Sequence, residues 1–147
     1  MKQVEKERLI ELLQAMNEKR TGGSESLDKM HAKDTEARIE LLTEWPAYLD
    51  NDSALANLEE DDKIISVYVQ GLGRVYPGFQ FDKDGVPLSV IETALEGLPL
   101  DDMSHWEALY WFVAGNPWLE GKRPVDVLED VEKVREAATK ESEEIPT

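Results

Sequence analysis

The chain has 147 residues, 41% of them hydrophobic, with no cysteine, two histidines and a formal net charge of −16. That length holds one ordinary domain, or a small domain with a helical appendage, and the apolar content is enough for a core. Disulfides and thiolate metal sites are excluded, Cys/His zinc and haem sites are disfavoured, and no apolar run approaches the ~20 residues that span a bilayer.

The N-terminal stretch "MKQVEKERLIELLQAMNEK" is too charged for a signal peptide, so a cytoplasmic protein with no membrane partner is expected. The charge is unevenly placed. Residues 1–40 carry eight Lys/Arg against nine Asp/Glu, whereas residues 41–147 carry eight against twenty-three. Such a surface repels polyphosphate, which supplies most non-specific affinity for nucleic acid. It reads either as a solubilising charge or as attraction toward a basic partner.

In chain order, Met1–Arg20 has Val4, Leu9, Leu12, Leu13 and Met16 near one face and reads as an amphipathic helix. It packs on the body or on a second subunit, because the stripe alone has nothing to cover it. Thr21-Gly22-Gly23-Ser24 is a breaker cluster and linker. Lys33–Trp45 reads as a second helix with Ala37, Leu41 and Leu42 inward, and Asn51-Asp52-Ser53 offers an N-cap for a short helix through Leu58.

The period then changes. "KIISVYVQ" (Lys63–Gln70) is rich in β-branched residues and predicts a strand, "GLGRV" a turn, and "YPGFQFD" a second extended segment. Asp82-Lys83-Asp84-Gly85 reads as a turn; it lacks the spacing of a calcium loop. Pro87 suits the first turn of a helix whose buried stripe is Val90, Ile91, Ala94, Leu95 and Leu98. Ser104 or Asp102 caps the next helix, "HWEALYWFVAG", which is apolar nearly all round and therefore central. Gly115 is expected to stop it in a left-handed conformation. Pro124 is expected to open a last helix, "PVDVLEDVEKVREAA", ahead of a frayed acidic tail.

Between the last two helices lies "GNPWLEGKRPVDVLED" (Gly115–Asp130), which holds a Lys122-Arg123 doublet in an acidic context. Trp106, Leu109, Phe112 and Val113 are expected inward, Tyr110 and Trp111 nearer the rim, and Trp118 and Leu119 folded back from the loop. Asn116, Gly121 and Pro124 fit a helix–loop–helix corner clamped by aromatics. Lys122 and Arg123 read equally as a solvated pair flanking a helix or as a binding feature.

"W…ALYWFVAGNPWLEGKRPVDVLED" resembles the C-terminal toxin-binding domain of the Xre/MbcA/ParS-like antitoxins. That pattern is a tryptophan-bearing helix, a proline–asparagine–x–x–leucine–x–glycine–x–x–proline turn and a short helix. Trp111, Asn116, Leu119, Gly121, Arg123, Pro124 and Leu128 fall on it, with Gly115 where the family has proline or threonine. "VYPGFQFDKDGVPLSVIETALEGL" (Val75–Leu98) is similar to the extended piece that precedes the domain, and the likeness covers about Lys63–Ala138. The resemblance implies an antitoxin that binds and neutralises a RES-domain toxin, an NAD-consuming or ADP-ribosylating enzyme. It implies a homodimer and a partner-binding set of Trp111, Asn116, Trp118, Leu119, Lys122 and Arg123.

The alternative it carries is a DNA-binding autoregulator with a helix-turn-helix region. Glu44–Asp62 opposes that, with seven acidic residues and no basic one where a recognition helix belongs. An enzyme is not expected: there is no Ser/His/Asp set, phosphate loop or metal cluster in the sequence. His105 reads as a capping or packing residue, and Glu59-Glu60 and Asp101-Asp102 as solvated turns. No catalytic residue, cofactor or metal is assigned. The expected fold is mainly α, a small helical domain with a two-stranded element around Ile64–Phe81, preceded by an N-terminal amphipathic helix. The expected divisions are 1–30 (helix and linker), 31–62 (degenerate helix-turn-helix-like region), 63–140 (toxin-binding domain) and 141–147 (acidic tail).

Overall fold

Val67 and Val69 are fully buried while Tyr68 between them is exposed, the alternation of a strand with one face on a core. The computed structural model describes residues 1–19 and 36–143, without the side chains of 16–19. The strands are β1 (Lys2–Gln3), β2 (Ala47–Leu49), β3 (Val67–Val69) and β4 (Gly73–Pro77). The helices are α1 (Lys6–Lys19), α2 (36–43), α3 (Ala54–Glu60), α4 (Ser89–Gly97), α5 (His105–Val113) and α6 (Val131–Glu143). The strands form an antiparallel sheet in the order β1-β2-β4-β3, with Gln3 opposite Tyr48, Tyr48 opposite Tyr76 and Val67 opposite Val75.

The sheet corrects the expectation of two strands. β1 and β2 are two and three residues long, too short to show a period of two, and β1 joins the sheet only by tertiary pairing. The strand read as Lys63–Gln70 is confined to Val67–Val69. Its would-be start is held instead by the buried Gln80, whose Oε1 accepts from the Ile65 N–H and whose Nε2 donates to the Ile65 carbonyl at 2.9 Å. Nε2 also reaches the Pro77 carbonyl at 3.1 Å. One side chain thus does the work of a neighbouring strand. "YPGFQFD" is extended only to Pro77 and then coils into a 3-10 turn at Gly78–Gln80.

The N-terminal stripe packs on the body. Val4, Leu9 and Leu13 are buried in the same cluster as β3, β4, α4, α5 and α6, and Leu12 packs against it. At Gly71, in the β3–β4 turn with φ +96°, a Cβ would stand 2.9 Å from Leu12 Cδ2, so the turn and α1 meet without room for a side chain. The Met16 side chain and Thr21–Ser24 lie outside the described residues. Of the inward residues expected in the second helix, Leu42 is buried and Leu41 partly so; Ala37 is exposed.

α5 is central, with Leu109 and Phe112 fully buried. Ser104 caps it in a reciprocal box: its Oγ accepts from the Glu107 N–H at 3.1 Å, and the Glu107 carboxylate accepts from the Ser104 N–H. α4 and α6 pack through Ala94, Val134, Ala137 and Ala138, all fully buried. A Cβ on Gly97 would lie 3.0 Å from that of Ala138.

Several local expectations change. Pro87 bridges to Phe81 around the Asp82–Gly85 turn, so α4 starts two residues later, at Ser89. Ser53 adopts φ +68° and makes no side-chain cap for α3; Asp50 and Asp52 accept instead from the N–H groups of Ala56 and Ala54. Burial works to raise the Asp50 pKa, yet backbone hydrogen bonds from Ala56, Asp52 and Leu55 hold it below the ordinary value. Pro124 opens a 3-10 turn through Asp126, and α6 begins only at Val131. α6 continues through Glu143, taking in the first residues of the segment read as a frayed tail. No helix among the described residues is long and apolar enough to cross a membrane.

Candidate functional site: the two ends of α5

At the C-terminal end of α5, Ala114 is extended and Gly115 does not take a positive φ, contrary to expectation. Glycine is needed there for space, since a Cβ would stand 2.9 Å from the Gly121 carbonyl oxygen. The left-handed residues of the corner are Glu120 (φ +59°) and Gly121 (φ +85°). Asn116 is buried and closes the loop on itself. Its Oδ1 accepts from the Trp118 N–H at 2.9 Å, its N–H donates to the Lys122 carbonyl at 3.0 Å, and its carbonyl accepts from Leu119 and Gly121.

The six residues proposed for partner contact separate into two sets. Trp111, Asn116 and Leu119 are buried. Trp111 is not at the rim as expected: it packs edge-on to Phe112, with centroids 5.0 Å apart, and its indole N–H has no partner among the described residues. Arg123 is half-exposed and engaged along the surface. It donates to both carboxylate oxygens of Asp126 at 2.7 and 3.1 Å and to Glu44 at 2.9 Å, and it lies over the Trp45 ring at 5.6 Å. These hydrogen bonds raise the guanidinium pKa further and hold the Asp126 carboxyl below the usual range. Of the six, Trp118 and Lys122 are the exposed ones; Trp118 is 45% exposed, with Lys140 Nζ 5.4 Å from its ring centroid.

At the N-terminal end of α5, about 13 Å away along the helix axis, the structure assembles groups that the sequence reading had scattered. Glu59 is not a solvated turn residue, its side chain being only 12% exposed. It accepts hydrogen bonds from Ser66 Oγ, from Arg74 Nη1 at 2.9 Å and from Tyr76 Oη at 3.3 Å, with His105 Nδ1 at 3.8 Å. His105 Nδ1 also meets the Ser66 carbonyl at 3.2 Å. Burial, then the neighbouring carboxylate, pushes the Tyr76 hydroxyl up to about 12. Three of the acceptor positions of Glu59 are occupied, and Ser66 directs its proton to this carboxylate. That arrangement anchors four segments: α3, the approach to β3, β4 and the start of α5.

Beside this hub lies a cleft of about 550 Å³ between α3, the approach to β3 and the start of α5. Its buried lining is mostly apolar, including Ile65 and Leu95 beside Ser66, and its exposed lining carries Glu60, Asp62 and Asp101 together with Arg74 and His105. No sequence motif marks it, because its walls come from segments up to 52 positions apart, Ala56 to Ala108. The only legible hint was the acidic density of residues 59–62.

No family model, curated protein or solved structure matches the chain.

Proposed function

We propose that the chain is an antitoxin-like protein-binding module that covers a RES-domain toxin, an NAD-consuming or ADP-ribosylating enzyme, through the corner after α5. The observation that carries this reading is Trp118: a large apolar side chain exposed on a turn braced from three sides. Ordering a contact surface costs free energy on binding, and a pre-formed turn avoids much of that cost. Tryptophan is enriched among binding hot spots because it offers large area with few rotors. Asn116 fixes the loop, the Gly115–Gly121 approach closes it, and Arg123 ties it to Glu44. In this role Arg123 braces the corner and the exposed Lys122 supplies a cation beside it.

The spacing Asn116-x-x-Leu119-x-Gly121-x-x-Pro124 supports the same reading through its resemblance to the antitoxin pattern. The acidic body suits a cationic cleft that binds NAD phosphates. A homodimer belongs to this proposal through the resemblance alone, since the residues 4–13 stripe is covered by the chain's own core.

The test is co-expression of the chain with a RES-domain enzyme, with capture and melting temperature measured in parallel. Trp118→Ala should leave melting nearly unchanged and weaken capture by about thirtyfold, equivalent to ~2 kcal/mol. Capture equal to that of the parent chain would remove the corner as the contact.

A further inference from the structure

The cleft at the N-terminal end of α5 plays no part in the proposed toxin contact. Its volume, about 550 Å³, falls within the range of small-ligand sites, roughly 300–1,000 Å³. Two independent features define what it could hold. The first is the wall: Ile65, Leu95, Leu100 and Met103 present apolar surface, enough for a short alkyl or aryl stem. The second is unbalanced charge at the mouth. Arg74 lines the same cleft, but its guanidinium is tied to Glu59. Glu60, Asp62 and Asp101 are exposed and have no cationic partner among the described residues. An anion entering here would meet three unpaired carboxylates, and a neutral apolar molecule would leave them unanswered.

We propose that this cleft binds a primary ammonium or guanidinium group carried on an apolar stem, with the stem against Ile65, Leu95, Leu100 and Met103 and the cation among Glu60, Asp62 and Asp101. A free amine and the side chain of a basic peptide share that chemistry. Glu59, His105 and Arg74 position the walls: the Glu59 carboxylate joins α3 to Ser66, β4 and the start of α5, so the cleft is held open by a hub whose hydrogen bonds are already made. A ligand therefore needs no rearrangement of that hub to enter.

The experiment is an NMR titration of the full isotope-labelled chain with three probes: hexylammonium, Nα-acetyl-lysine N-methylamide and the uncharged 1-hexanol. Hexylammonium or the lysine derivative should give saturable shifts at the backbone amides of Ile65, Ser66 and Met103, weakening as salt is raised. Affinity should fall about tenfold in Asp62→Asn/Asp101→Asn, a loss consistent with two exposed charge contacts. Asparagine tolerates the left-handed backbone of Asp62 (φ +56°), and an unchanged melting temperature checks the fold of the variant. Tighter binding of the lysine derivative assigns the source to a basic peptide, and tighter binding of hexylammonium to a free amine. No saturable shift with either cation, equal affinity in the double variant, or equal binding of 1-hexanol would each overturn the proposal. Should the double variant not fold, the salt series and the hexanol comparison on the parent chain still decide it.

Discussion

The two ends of α5 are built by opposite means. The C-terminal corner is local: Asn116 bonds to Trp118, Leu119, Gly121 and Lys122, all within six residues, with longer ties from Arg123 to Glu44 and from Trp118 to Lys140. The N-terminal end is non-local, since Glu59 of α3 gathers Ser66, Arg74, Tyr76 and His105 from three other segments. A local corner keeps its shape while the rest of the chain breathes and can present an exposed indole. A non-local hub exists only while the sheet, α3 and α5 are docked, so the cleft beside it reports on the integrity of the whole fold.

That contrast can be broken most forcefully through the residue both ends share. Phe112 is fully buried and packs against Phe79 and Trp111. Phe112→Ala should destabilise the protein by ~3–5 kcal/mol in urea unfolding, with both ends lost together. Survival of the cleft's amide pattern in that variant would show the two ends to be less coupled than one helix implies.

Gln80→Leu sharpens the comparison from one side. It removes both bonds to Ile65 and the bond to Pro77, leaving buried backbone groups unpaired, at a cost of ~2–4 kcal/mol. Hydrogen exchange should accelerate at Ile65 and Ser66 well before it does at Leu119 and Gly121. Uniform acceleration would contradict the separation.

On the other side, Asn116→Ala removes the Oδ1 acceptor for the Trp118 N–H while leaving the backbone bonds of the corner. A loss of ~1 kcal/mol is expected, the usual worth of a side-chain cap. Near-ultraviolet dichroism should change through Trp118, and the Tyr76 hydroxyl should keep its raised pKa near 12.

The smallest effect belongs to Arg123→Ala. Its ion pairs are substantially solvent-screened, with 32% of the Arg123 side chain and 51% of Asp126 exposed, so a loss of less than ~1 kcal/mol is expected at neutral pH. The sign of its pH dependence follows from Asp126. A carboxylate held low in the folded state contributes stability above its unfolded pKa, about 3.9, and loses it as pH falls through the lowered folded value. The melting difference between parent and variant should therefore shrink below about pH 4. A difference that grows on acidification would assign Arg123 a role apart from this tie.

The sequence by itself determined what depends on neighbours in the chain. The 3.6-residue stripe of Val90, Ile91, Ala94 and Leu95 defined α4, Ser104 was one of two caps offered for α5, and the Asp82–Gly85 turn was visible in its composition. The corner was legible as a corner for the same reason. Only the tertiary structure decided the rest. β1 and β2 carry too few residues to show a period, and β1 finds its partner more than 40 positions away along the chain, Lys2 opposite Leu49. Gln80 could not be read as the partner of Ile65, because a side-chain amide bonded to a backbone 15 residues distant leaves no pattern. Arg123 looked free beside Lys122 until Glu44 arrived from 79 residues away, and Glu59 looked solvated until Ser66, Tyr76 and His105 closed over it. Burial and ion pairing are properties of surfaces that meet in space, and the chain's own order does not encode which surfaces those are.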